Sequence, residues 1–374
     1  MAYNNVQFIG FSINTLPAPD ADPNNPFHSK YLGNVNSKID LSKRCQVMMD
    51  AVRTAAKSAS IAGGNTLKIF VAPEFFFRGE QGAYPLEEVS AILPRLRQWT
   101  HSAAYKDWLF VFGTALGYLT DGPTKEIFNI ALIQRGGTQS DDKDNARLVM
   151  KEYISRVDFI RPNVRTGAPC PSCGTFVHTS DFTNWDVNRA DHRLALADKP
   201  NQRMTILRPT RGSRDHLAKG TNAPGRGREG SASGLGGGGH FTMAGIRFGL
   251  EVCLDHFKAR LRDSPPARGE DYPQIHLIPS AGIQIAQASV ACGSQGIIFN
   301  VDGGGHVHLA QNAGTYDAPH VNNWAWYFPP NTVGWADVGL VKARKDGAEY
   351  FVGGGGLVFI SHGVAIPAAV PAPP

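Results

Sequence analysis

Before position 160 the chain alternates short apolar runs with longer stretches at helical spacing, and that alternation restricts it to a mixed α/β fold. Val6–Phe11 is an apolar run of strand length. Ser37 to Ser60 sets Ile39, Leu41, Cys45, Met48, Met49, Val52 and Ala56 on one stripe, the pattern of an amphipathic helix. The run Leu67–Pro73 precedes a second helical stretch, Leu86 to Tyr105, whose stripe is Val89, Ile92, Leu93, Leu96 and Trp99. Trp108–Gly113 and Ile127–Gln134 are then successive strand candidates. The order strand–helix–strand–helix–strand–strand predicts more strands than a doubly wound sheet holds.

From Arg161 to Gly239 the pattern fails, and Gly, Pro, Arg, Asn, Asp and Ser dominate. A stretch of that length without structure of its own does not fit a compact domain, so it reads as a partly mobile insertion, about 161–239. Regular runs resume at Phe241. Phe248 to His256 reads as one buried strand, and Ile275–Ile278 as another. Hairpins follow at Gly296–Val301 with His306–Leu309, and at Val338–Ala343 with Tyr350–Val352 and Gly356–Ile360. This divides the chain into one domain over 1–364 and a Pro/Ala-rich tail, 365–374, expected to be disordered.

Composition narrows the setting. Hydrophobic residues at 42% are enough for a substantial core, and no run approaches the roughly 18–20 apolar residues that span a bilayer. The first residues lack the basic and long apolar stretches of a secretory signal, and five cysteines do not make a disulfide framework. A cytoplasmic setting is the expectation, with no membrane partner. The net charge of +5 is concentrated in one segment: seven basic residues stand between Arg203 and Arg228 against Asp215 alone. Without a recognised binding module or interleaved aromatics, that segment reads as a solvated loop, with a lid meeting an anionic substrate or a neighbouring subunit next, and nucleic acid is not expected.

Three of the runs end on reactive side chains. Leu67–Pro73 delivers Glu74, Ala146–Met150 delivers Lys151, and the run from Phe248 carries Cys253. A thiol is only slightly ionised at neutral pH, so it needs a base to become a nucleophile and a cation to receive the charge it creates. A carboxylate, an amine and a thiol form such a set, provided the fold brings the three ends together.

The runs around these residues resemble three blocks of the nitrilase superfamily of carbon–nitrogen hydrolases, in the family's order. Val71-Ala72-Pro73-Glu74-Phe75-Phe76 is similar to its Pro-Glu-aromatic block. Ile127 to Ile133, leading to Lys151, is similar to its lysine block, and Gly245-Ile246-Arg247-Phe248-Gly249 through Cys253-Leu254-Asp255 to its cysteine block. Pro279-Ser280-Ala281 echoes a short later segment. The resemblance covers most of 5–160 and 240–360. It implies an αββα sandwich, with two sheets face to face and helices outside. Glu74 is then the general base, raised towards neutrality by burial, Cys253 the nucleophile, and Lys151 with the backbone N–H of Leu254 the oxyanion donors. Phe75, Ser280 and Ala281 are further substrate-binding candidates, and Asp158 is the candidate second acid. The resemblance further implies hydrolysis of a small amide or N-carbamoyl compound, no cofactor or metal, and a homodimer or larger oligomer. Cys253-Leu254-Asp255 favours amides over nitriles. Acyl transfer to an amine, nitrile hydrolysis and an inactive binding or regulatory protein are the alternatives.

Other motifs have ordinary readings beside tempting ones. Cys170-Pro171-Ser172-Cys173-Gly174 has the form of half a zinc knuckle, but no second cysteine pair exists and His178, His192 and His216 lack the spacing; it reads as a turn with two thiols, ahead of zinc or a redox pair. The glycine run 234–239 lacks the preceding strand and following helix of a dinucleotide site and reads as a hinge. His306 and His308 read as surface residues of a hairpin, ahead of a metal pair. Cys45 and Cys292 read as core residues, and Trp324, Trp326, Tyr327 and Phe328 as an aromatic cluster in a loop.

Overall fold

The computed structural model describes residues 3–19, 29–80, 82–121, 124–140, 144–151, 195–196, 206–207, 239–263, 265–266, 269–328 and 331–372. Asp158, Cys170 and Cys173, most of the basic segment and the glycine run 234–238 lie outside the described residues.

Two mixed sheets dominate the described residues, beside three short two-stranded pairings and, on the first sheet, a short extra strand at Tyr84–Pro85. Along the first half run β1 (Asn5–Asn14), α1 (Ser37–Ala56), β2 (Thr66–Val71), α2 (Ile92–Thr100), β3 (Trp108–Asp121), β4 (Thr124–Arg135) and β5 (Ala146–Met150). The second half holds β6 (His240–Met243), β7 (Ile246–Leu250), α3 (Leu254–Phe257), β8 (Ile275–Ser280), β9 (Ile297–Asp302), β10 (His306–Asn312), β11 (Val321–Phe328), β12 (Asn331–Val333), β13 (Asp337–Lys342) and β14 (Val352–Ala365). The first sheet has the order β13-β14-β1-β2-β3-β4-β5, and the second runs β6 to β12 in sequence order. Each has a parallel centre, β1-β2-β3 and β7-β8-β9, flanked by antiparallel strands.

The strand period of two sorts the core. Leu67, Ile69 and Val71 of β2 and Leu109 and Val111 of β3 face inward and pack with Phe248, Leu277, Phe299 and Val307 of the second sheet. Phe70, Phe110 and Phe112 face outward beneath the helices. Strands buried on both faces read as continuous apolar runs, which is why they were visible in the sequence. Gly10 lets the sheets approach closely: a Cβ there would stand 2.6 Å from Cγ1 of Val307.

Helix α1 starts where Asn36 accepts hydrogen bonds from the N–H groups of Lys38 and Ile39. Its buried stripe holds Leu41, Cys45, Met48, Met49 and Val52 as expected, joined by Val47, Ala51 and Ala55, while Ile39 and Ala56 are exposed. Outside the second sheet, the described cover over Ile278, Ile298 and Ala310 is coil carrying Ile285, Val290 and Cys292.

Four expectations are corrected. The helix over 86–105 is broken into a turn, Leu86–Val89, and α2, because Pro94 has no N–H and fits only within a first helical turn. Phe248 to His256 is not one strand: β7 stops at Leu250 and Leu254 opens α3. The aromatic residues 324–328 belong to strand β11, paired with β10, and the Tyr327 ring lies 4.5 Å from that of Phe359. The tail is docked: Tyr272 N–H donates to Val370 O at 2.9 Å and Ala372 N–H to Glu270 O at 3.0 Å. No helix among the described residues is long and apolar enough to cross a membrane.

Candidate active site

Open α/β sheets present functional groups at the carboxyl ends of parallel strands, and the reactive residues follow that rule. Glu74 lies three residues beyond β2, Lys151 directly follows β5, and Cys253 lies three residues beyond β7. The two sheets are tied at this end by main-chain bonds, with Glu74 N–H donating across to Ser280 O at 3.2 Å. Thr15 Oγ1 donates to Glu74 O at 2.8 Å, and Phe75 N–H to Thr114 Oγ1 at 2.9 Å. These contacts hold Phe75 in a left-handed conformation, φ +61°.

Glu74 and Lys151 form a fully buried ion pair, Nζ to Oε1 2.9 Å. Asn129 Nδ2 donates to the same carboxylate oxygen at 2.8 Å, and its carbonyl accepts the Lys151 N–H at 2.9 Å. One asparagine thus fixes both partners, which matters because a buried pair repays its desolvation only when its geometry is held. The Lys151 ammonium also lies 5.7 Å from the centre of the Phe75 ring, whose other neighbour is the Arg78 guanidinium at 4.1 Å.

Cys253 sits in the core between the sheets, 4% exposed. Its backbone is left-handed, φ +48° and ψ −109°, so the chain turns sharply from strand to helix at the thiol. Cys253 N–H donates to Pro279 O at 3.1 Å, and Sγ points to Ala281 O at 3.9 Å. Burial pushes the thiol well above its usual range. The Glu74 carboxylate pushes the same way, and the Lys151 cation opposes both. The thiol is therefore protonated at rest, and a base must remove its proton during reaction.

Behind Cys253, Glu251 faces two imidazoles, hydrogen-bonded to His256 and in close contact with His276. Its Oε1 lies 2.8 Å from His256 Nδ1 and 3.0 Å from His276 Nε2, all side chains fully buried, while Oε2 accepts the Leu261 N–H at 2.9 Å. Burial alone would raise the carboxyl, but the two histidines outweigh it and hold the group down at about 2. The trio is the candidate cation-binding group among the described residues. Its hydrogen bonds oppose that role. Ala286 N–H donates to His256 Nε2 at 2.9 Å and Ala291 N–H to His276 Nδ1 at 3.3 Å. A main-chain N–H only donates, so each outer nitrogen carries the lone pair and each inner one the hydrogen. The nitrogens facing Glu251 are donors, not metal ligands.

The expected site residues divide by role. Glu74, Lys151, Cys253, Phe75 and Ala281 meet in one place, and Leu254 follows the thiol as the first residue of α3. Ser280 is there too, but its hydroxyl is engaged internally, accepting from Asn300 Nδ2 at 2.9 Å and donating to Ile283 O at 3.1 Å. The sequence assigns no role to Asn129, Thr15, Thr114 or the Glu251 trio; Asn129 and Glu251 stand out only as lone polar residues inside apolar runs. His306 Nδ1 lies 2.7 Å from Asp302 Oδ2 and His308 Nε2 2.9 Å from Asn323 Oδ1, separate partners for the two rings. Cys45 and Cys292 are buried and free, and burial pushes the Cys45 thiol up to about 12.

No family model matches the chain, and no curated protein sequence matches it. The chain is similar to several solved structures at low identity. The amidase from Nesterenkonia sp. AN1, in complex with acrylamide, is 11% identical over 96% of this chain and 90% of that one, with a TM-score of 0.35. Nit3 from Saccharomyces cerevisiae, a member of branch 10 of the nitrilase superfamily, is 10% identical over 87% and 86%, with a TM-score of 0.35. A glutamine-dependent NAD(+) synthetase from Cytophaga hutchinsonii is 10% identical with a TM-score of 0.33; the match covers 83% of this chain and 40% of the synthetase.

Proposed function

We propose that the protein is an enzyme that hydrolyses a non-peptide C–N bond in a small amide or N-carbamoyl compound through a thioester on Cys253. The observation that carries this reading is the buried Glu74–Lys151 pair beside a protonated thiol on a sharp strand-to-helix turn. The block resemblance of the sequence supports it, and with it come the αββα sandwich, the 1–364 domain and assembly into a homo-oligomer.

The steps follow from the groups present. Glu74 takes the thiol proton as Sγ attacks the carbonyl carbon, so charge separates only when it is used. The oxyanion receives the Lys151 ammonium and the Leu254 N–H. Glu74 returns the proton to the departing nitrogen, the C–N bond breaks, and the acyl group stays on sulfur. Water, deprotonated by Glu74, then attacks the thioester carbonyl and Sγ leaves with the proton.

The test is ammonia release from a panel of small amides. Cys253→Ala is expected to lower it by at least about 10³-fold while leaving the circular dichroism spectrum unchanged. Wild-type turnover in that variant would sink the reading.

A further inference from the structure

Glu251, His256 and His276 take no part in the steps above, yet all three are buried, and both rings meet the one carboxylate. They flank the nucleophile: Glu251 stands two residues before Cys253 and His256 three after. Their hydrogen bond closes a loop of chain around a residue whose left-handed backbone is disfavoured for any side chain with a Cβ. Such a conformation persists only where its surroundings fix it. Main-chain bonds fix one side, Glu251 N–H to Leu277 O at 3.2 Å and Cys253 N–H to Pro279 O at 3.1 Å. Side chains fix the other. Glu251 reaches Leu261 beyond α3, His276 anchors the carboxylate to β8, and His256 holds Ala286 in the loop that presents Ala281 O to the thiol.

We propose that Glu251, with His256 and His276, is a positioning cluster that holds the Cys253 turn in register with Glu74. The role rests on the hydrolase reading for its purpose, though not for its geometry. Main-chain donors assign the ring hydrogens: each neutral ring turns its N–H side towards the one carboxylate, His256 in a hydrogen bond and His276 in close contact. Glutamine at 251 cannot replace it. Its single oxygen serves either the two rings or Leu261 N–H, and its amide hydrogens oppose whichever donors remain. Aspartate keeps the acceptor chemistry and loses only reach.

The experiment compares the wild-type chain with Glu251→Gln and Glu251→Asp. The readouts are kcat and KM on the amide that the wild type turns over best, and the rate at which iodoacetamide alkylates Cys253 at pH 7, followed by peptide mass spectrometry. Misplacing a reacting group by about 1 Å costs on the order of 100-fold. The expected result for Glu251→Gln is a kcat lower by about 10- to 100-fold, a KM within about threefold of wild type, and alkylation slowed about tenfold or more, with Glu251→Asp between the two. A folded Glu251→Gln with wild-type kcat and alkylation rate overturns the proposal, as does one in which only KM rises. If Glu251→Gln does not fold, His276→Phe, which fills similar space but has no N–H to offer the carboxylate, replaces it, and unchanged rates there overturn it equally. Stoichiometric Zn²⁺ retained by the wild type and lost from Glu251→Asp also overturns it. A wild type that turns over no amide sinks the hydrolase reading and leaves alkylation to judge the cluster.

Discussion

At the scale of single residues the site is organised around the cost of ionising a buried thiol. Burial and the Glu74 carboxylate both keep Cys253 protonated, and Lys151 offsets only part of this. Alkylation of the resting protein by a neutral reagent is therefore expected to be slow at pH 7 and to keep rising past about pH 9.5, where an ordinary thiol, half ionised near pH 8.5, levels off. A plateau at or below about pH 9.5 would contradict the electrostatic account. Asn129 is the other residue to probe. It donates to Glu74 Oε1, so Asn129→Ala removes a charge-assisted bond from the base without touching the thiol's backbone. Its expected signature is a kcat reduced about 10- to 100-fold with Cys253 still alkylated.

At the scale of elements, the helices support the site from a distance. Met48 of α1 is fully buried over the outer face of the first sheet. Met48→Ala is expected to cost about 2–5 kcal/mol in denaturant unfolding while leaving activity per folded molecule unchanged. Loss of activity in fully folded protein would show α1 coupled to the chemistry. This scale also shows what the sequence could carry. Strands buried on both faces announce themselves as apolar runs, so β2, β3 and β5 and the residues at their ends were legible, and Ala146–Met150 falls on its observed bounds. What failed depended on partners distant in sequence. The run at 248 carries only Glu251 among apolar residues to Leu254 and so reads as strand throughout, but the Cys253 backbone turns at φ +48° and α3 begins. Residues 324–328 read as loop because they carry adjacent large aromatics, with no alternation to mark a strand; pairing with β10 supplies the order. Glu251 was invisible because its two histidines come from other elements.

For the whole molecule, the two sheets must keep a fixed separation for Glu74 and Cys253 to meet. Gly10→Val would press a side chain into Val307 and Phe299, and is expected to destabilise by about 1–3 kcal/mol and to lower kcat more than it raises KM. Acid should loosen the same region. Glu251 titrates near 2 against an ordinary 4.5, so its contribution, on the order of 3 kcal/mol, is complete above about pH 4.5 and is lost as pH falls from there towards 2. His276 acts in the same direction: its folded pKa is depressed by burial, so the unfolded chain takes up that proton first below about 6.5. The melting temperature is thus expected to fall as pH drops from 7 to 3, and more steeply in the wild type than in Glu251→Gln. Equal slopes would show that the cluster carries no such energy.

The central claim is an acyl group on one sulfur. Acid-quenching the protein during turnover of a small amide, followed by peptide mass spectrometry, tests it directly. The account predicts the substrate's acyl mass on the peptide carrying Cys253, gone after a base chase. Sustained amide hydrolysis with that peptide unmodified under every quench would contradict it.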